Sequence, residues 1–215
     1  MHPDGEVGVA APKGLRLTKI EEAISDKADW ILQQQESFRQ LQRGFPRQFI
    51  SGESYFYMGR QYRLKVRRSQ ARDAVPAIRL YGGCFEVVVP STVSADGRSN
   101  VVRQQLVYWY CNRAQEVLPE MVSRYCQCLA LNQPELSVRQ MSKRWGSCNG
   151  DNRITINWQI LMAPRRLTEY VVAHELVHLV HHDHSRAFWR LFERLMPDFE
   201  TRRQELAIHG AKYQL

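Results

Sequence analysis

Tyr170-Val171-Val172-Ala173-His174-Glu175-Leu176-Val177-His178-Leu179-Val180-His181-His182-Asp183-His184 holds five of the chain's seven histidines. It contains His-Glu-x-x-His, a two-histidine metal motif. On a helix, residues four apart lie ~40° apart in azimuth and ~6 Å apart in rise. Two imidazoles so placed can point at one ion, with metal–nitrogen distances of ~2.0–2.1 Å. Glu175 then stands beside that ion, where its carboxylate can take a proton from water instead of binding. Val171, Val172, Leu176, Leu179 and Val180 seat the helix in a core. An acid buried between two buried histidines is costly unless paired or metal-bound. A chance motif on a solvated helix fits these apolar flanks poorly.

A third ligand is needed. His182 continues the four-residue series but lies ~12 Å along the axis from His174 on a straight helix, beyond the reach of one ion. His181 shares the difficulty in milder form. His184 works if the chain leaves the helix after about His182, with Asp183 as breaker and Ser185 helping to start the next helix. The expected metal ligands are therefore His174, His178 and His184, with Glu175 as the catalytic acid/base.

Downstream of this stretch, a last helix is expected from about Ser185 to Met196, ending at Pro197. Upstream, Arg153 to Ile160 and Ser137 to Met141 alternate like strands. Pro164 leads into the metal helix from about Thr168. A long helical pattern spans Val101 to about Leu131, and Pro119 should kink or split it. A polar stretch, Ser94 to Asn100, separates that helix from two hairpins. One turns at Gly59-Arg60 and the other at Gly82-Gly83, which suits positions needing φ > 0. Thr18-Lys19-Ile20-Glu21 has the form of a capping box and opens a helix to about Arg43. Residues 5–12 read as a strand. The fold class is α+β: a strand-rich region 1–100 with one helix at about 18–43, then a metal-binding region 101–215, together one compact domain.

The chain has 215 residues and a net charge of +8, with 30 basic residues of which 24 are Arg. Its 44% hydrophobic and 24% charged fractions exclude disorder and collagen-like repeats. No apolar run reaches the ~18 residues of a membrane span, and Met1-His2-Pro3-Asp4-Gly5 does not open a secretory signal. A cytoplasmic location and no membrane partner are expected. Five cysteines, an odd count, argue against a disulfide framework. The basic balance admits a nucleic-acid contact, although the arginines are scattered.

The chain resembles the YgjP-like metallopeptidase family, related to the WLM and SprT-like zinc peptidases. The residues that carry the resemblance include Lys143-Arg144-Trp145-Gly146-Ser147-Cys148, Ile154-Thr155-Ile156-Asn157-Trp158, Ala163-Pro164, Tyr170 to Leu179, His184-Ser185-x-x-Phe188-Trp189 and Pro197-Asp198. Weaker similarity continues through Tyr57-Met58-Gly59-Arg60 and Lys27-Ala28-Asp29-Trp30-Ile31, so it spans nearly the whole chain. The resemblance implies a zincin-like helical and β-sheet catalytic region with His174, His178 and His184 on metal and Glu175 as acid/base. It implies one Zn2+ per chain, with another divalent transition metal as the alternative. The resemblance implies a further basic strand before the Asp4-Gly5 turn, where this sequence begins, so either the start is misassigned or the first hairpin is incomplete.

Zinc with three protein ligands keeps an open position for water. The main expectation is a zinc hydrolase acting on a peptide or protein substrate. An alternative keeps the site and hydrolyses a nucleoside triphosphate, since Arg matches phosphate geometry. A third is a non-enzymatic nucleic-acid-associated module with structural zinc, which the free coordination position and Glu175 disfavour. Asn157, Trp145 and Arg186 are candidate substrate-binding residues. By resemblance to zinc peptidases, Arg153 to Ile160 is expected to be an edge strand that pairs an extended peptide. The electrophilic helper is sought among His181, His182, Arg186 and Tyr170. Trp145 to Cys148 read as a loop shaping the cleft, Cys148 as a poor nucleophile, Cys126 and Cys128 as core. Phe188 and Trp189 read as packing behind the ligand loop.

Overall fold

The structure, a computed structural model, describes residues 9, 11, 14–28, 31–32, 47–71 and 74–215. The strand expected over residues 5–12 lies, except for Val9 and Ala11, outside the described residues. So does the helix end expected near Arg43. Helix α1 (Leu17–Ser25) starts before Thr18, and its cap residue is Arg16 without a side-chain cap bond. The capping box expected of Thr18 and Glu21 is therefore not formed, because Thr18 already stands inside the helix.

The first sheet contains β1 (Ser54–Tyr57), β2 (Arg60–Ser69), β3 (Ala77–Tyr81) and β4 (Cys84–Pro90), in the order β1-β2-β4-β3. Both expected hairpins form, and each closes on two left-handed residues, the twist that suits flanking strands. They are Met58 (φ 48°) with Gly59 (φ 79°), and Gly82 (φ 55°) with Gly83 (φ 74°). The first turn thus lies one residue earlier than the Gly59-Arg60 reading. β2 and β4 are parallel, and β3 closes one edge antiparallel to β4. Tyr55, Leu64, Phe85 and Val87 are fully or almost fully buried on the inner face.

That face meets α2 (Ala95–Leu129), 35 residues long. Ser94 caps it, its Oγ accepting from Gly97 N at 3.2 Å. The polar stretch Ser94 to Asn100 therefore belongs to the helix start and separates nothing. Pro119 does not split the helix, which continues to Ala130 in the left-handed region. Val102, Leu106, Tyr110, Ala114, Leu118, Val122 and Cys126 recur every four residues on the buried side. Tyr110 donates its hydroxyl to the Phe56 carbonyl.

The second sheet contains β5 (Glu135–Arg139), β6 (Gly146–Asn149) and β7 (Arg153–Asn157), in the order β5-β7-β6. This corrects one expectation. The strand from Arg153 stops at Asn157 and is central, paired with β5 on one side and β6 on the other. Among the described residues the free edge beside the histidines is β6. Trp158–Met162 is a buried 3-10 turn started by Asn157, whose Oδ1 accepts from Gln159 N at 3.2 Å. The Met58-Gly59 turn docks there, Met58 N donating to Leu161 O at 2.7 Å and Gly59 N to Met162 O at 3.2 Å.

Three helices follow. α3 (Arg165–Val177) begins one turn before the expected Thr168. α4 (Arg186–Leu195) matches the expected last helix but is not the last. α5 (Phe199–His209) follows Pro197-Asp198 and a 3-10 turn, Gly210–Tyr213, comes after it. The result is a mixed α+β fold with two small sheets. Among the described residues no helix is long and apolar enough to cross a membrane.

Candidate metal centre

α3 carries His174 and Glu175 in its last turn, and His178 is the capping residue at its C-terminus. The chain therefore leaves the helix at His178, four residues before the exit expected near His182. Residues 179–183 form the return. Asp183 Oδ1 accepts from Ser185 N at 3.3 Å, and Ser185 Oγ accepts from Phe188 N at 3.5 Å to open α4. This fold-back brings His184 to the other two imidazoles.

His174 Nε2 lies 3.2 Å from His178 Nε2 and 3.1 Å from His184 Nε2. One nitrogen from each ring falls within a common 4.8 Å. Nitrogens ~2.0–2.1 Å from one tetrahedral ion stand about 3.3–3.4 Å apart, so the spacing suits such an ion. His178 Nδ1 lies 3.1 Å from the His181 carbonyl, which can only accept, so Nδ1 carries the proton and Nε2 keeps its lone pair. His174 Nδ1 is buried without a hydrogen-bond partner among the described residues. Burial, with His178 and His184 adding to it, pushes the His174 imidazole down to about 3; burial also lowers His178. Both rings are thus neutral lone-pair donors at neutral pH. The donor set fits one divalent transition metal.

The rings rest on aromatic side chains. Phe188, fully buried, has its centroid 5.1, 4.7 and 4.8 Å from those of His174, His178 and His184. Trp189 stacks on His184 at 5.4 Å and 23°. The expectation that these two pack behind the ligand loop agrees with these contacts.

Glu175 lines the same cleft, which is closed on its other side by Arg144, Gly146, Ser147, Cys148 and Asn149, with His182 at the rim. The carboxyl is 7% exposed and burial pushes it up to about 7, with Arg144 acting in the opposite sense. It lies against the backbone of Gly146: a Cβ there would meet Glu175 Oε1 at 2.7 Å. Cys148 Sγ is pushed up to about 11 by burial and then by Glu175, so it is a thiol, in keeping with its reading as a poor nucleophile.

The other candidate residues lie elsewhere. Asn157 is buried, and its Nδ2 donates to Met141 O at 2.8 Å and Arg144 O at 3.1 Å. It holds the strand-to-strand loop in shape and does not line the cleft. Trp145 packs by Gly210, and Arg186 lines a separate groove with Trp189 and Arg190. Tyr170 is buried with its ring 6.0 Å from His174. Arg144 faces the cleft although the sequence gave it no role, and the stretch read as a cleft-shaping loop, Trp145 to Cys148, lines it with Gly146, Ser147 and Cys148 as part of strand β6. Gly146 within that stretch gave a signal of its own, since an isolated glycine suits a close backbone approach.

The model of the YgjP-like metallopeptidase domain matches residues 1–209. Among solved structures, the metallopeptidase zymogen abylysin of Pyrococcus abyssi is similar at 20% identity and a TM-score of 0.38, covering 40% of this chain and 89% of that one. A comparison with curated proteins returns no match.

Proposed function

The chain belongs to the YgjP-like metallopeptidase family, and from that membership we propose that it is a zinc-dependent peptidase. His174, His178 and His184 would hold the metal, and Glu175 would be the general acid/base. The observation that carries this reading is the convergence of three imidazole nitrogens, 3.1 and 3.2 Å apart, in a cleft that Glu175 shares. Zinc bound there supplies Lewis-acid polarisation of the scissile carbonyl and lowers the pKa of water.

The chain's own residues divide the remaining work. Glu175, walled by Gly146, accepts the proton of the attacking water at its carboxylate and returns it to the leaving amine. Phe188 and Trp189 fix the planes of the rings. The free backbone edge of β6 offers an extended peptide the donors and acceptors that β7 cannot, since both edges of β7 are already paired. Arg144 stands on the rim as a cation for developing negative charge on the substrate oxygen.

Arg144 also favours a second reading, hydrolysis of a nucleoside triphosphate in the same cleft, because guanidinium matches phosphate. The test is a turnover assay of the zinc-loaded protein on an unfolded protein, a peptide mixture and nucleoside triphosphates. New peptide termini support the main reading. Phosphate release alone replaces it with the second.

A further inference from the structure

The first sheet has a second face, turned away from α2. On β2, Leu64 is buried on the α2 side while Arg63, Lys65 and Arg67 alternate to the outside. Their strand partners on β4 are Cys84, Glu86 and Val88, and on β3 the row is completed by Tyr81 and Arg79. Four cations and one acid thus share one sheet face that is open among the described residues. Along β2 the cations recur every ~6.6 Å, two residues of strand rise apart.

The one acid does not cancel the charge; it organises it. Glu86 is 7% exposed and sits between two guanidinium groups. Arg67 Nη2 donates to its Oε1 at 3.1 Å, and Arg79 Nε and Nη2 donate to its Oε2 at 2.9 and 2.8 Å. A guanidinium has five N–H donors. Arg67 spends one and Arg79 two on Glu86, and the side chains of both remain about two-thirds exposed, at 64% and 67%. Arg63 and Lys65 form no ion pair among the described residues. The Arg79 guanidinium lies 5.0 Å over the ring of Tyr81, which is 67% exposed. Pinned arginines, evenly spaced cations and an exposed aromatic ring are the components of a phosphate-tracking, base-stacking surface.

We propose that this face binds single-stranded nucleic acid, with Arg63, Lys65, Arg67 and Arg79 on successive phosphates and a base on Tyr81. A protein surface would need apolar anchors, whereas this face presents charge. Its flatness and regular cation spacing match a repeating polyanion. The proposal uses no residue of the metal centre, so each can fail without the other.

The test is fluorescence anisotropy of a labelled single-stranded oligonucleotide across a salt series, using the full chain. The logarithm of the affinity should fall with the logarithm of salt with a slope of about −2 to −3, from three to four phosphate contacts at ~0.7 each. R63E/K65E should bind at least about tenfold more weakly, and R63Q/K65Q should flatten the slope by about 1.4. Y81A should weaken the oligonucleotide about fivefold or more, as loss of one stacked base does, and leave binding of inorganic polyphosphate unchanged. Melting temperature and zinc content, read on the same samples, show that the variants remain folded. Oligonucleotide binding that is unaltered in R63E/K65E overturns the proposal. So does a polyglutamate chain that competes equally while Y81A behaves as wild type, which assigns the face to an acidic protein.

Discussion

A Cβ on Gly146 would stand 2.7 Å from both Cγ and Oε1 of Glu175, closer than real Cβ contacts come. The edge strand of the second sheet and the acid on α3 are therefore in direct contact, and a residue with no side chain makes that contact possible. Gly146→Ala must displace either β6 or the carboxylate. Turnover is expected to fall by ~10²-fold, the lower end of what a general acid/base contributes. Zinc content should not change, because the atoms nearest a Cβ at Gly146 all belong to the acid. Paired activity and metal assays on the purified variant check this.

Phe188 is in contact with all three rings, so Phe188→Ala should act on stability and on metal together. A fully buried Phe replaced by Ala costs ~3–5 kcal/mol. Urea denaturation of the metal-free protein reads the first effect. Competition with a chromogenic chelator reads the second, where zinc affinity should fall more for Phe188→Ala than for Phe188→Leu.

Zinc that binds only the folded chain stabilises it by ~2.7 kcal/mol at a free concentration a hundredfold above Kd. A chelator should lower the melting temperature of the wild type correspondingly. His174→Ala should melt at the same temperature with and without chelator. An equal chelator shift in both proteins would place the bound metal elsewhere.

Glu86 supplies a pH dependence outside the metal centre. The bond from Arg79 and the charge of Arg67 hold its carboxyl below the ordinary carboxylate range, against the opposing effect of burial. The folded pKa is thus below the unfolded one. The resulting stability is present above the unfolded value of ~4.3 and is lost as pH falls through the folded pKa. Between neutral pH and pH ~3, Glu86→Gln should lose less stability than the wild type, a comparison made by denaturant titration at both pH values.

The hairpins and the metal helix were legible because each is encoded locally. Gly82-Gly83 meets a backbone demand for φ > 0, and His-Glu-x-x-His meets a helical one. What depends on partners was not legible. Gly146-Ser147-Cys148-Asn149 has weak strand propensity and is a strand because β7 pairs with it. Its existence is also what makes β7 central, which no property of Arg153–Asn157 announces. The signal for helix α5 was thin: Phe199 and Leu206 are its buried residues, and Pro197 reads as an end when it lies in the three-residue corner Met196–Asp198 between helices. Thr18-x-x-Glu21 matched the capping pattern with Thr18 already one residue inside the helix. Asn157 lay in a stretch that carries the family resemblance, but its side chain is used on the Met141–Arg144 loop. The grouping of His174, His178 and His184 was approached from the need for a break before Ser185, although the break comes at His178 and not near His182.

The central claim is that Glu175 and the three imidazoles form one hydrolytic centre. The most direct test compares zinc-loaded wild type with Glu175→Gln at equal metal content, on an unfolded protein in heavy-oxygen water, with the products read by mass spectrometry. Wild type should generate new carboxyl termini carrying the heavy oxygen, and Glu175→Gln should do so ~10²–10⁴-fold more slowly. Equal rates in the two proteins, or no new termini from the wild type, would contradict the account.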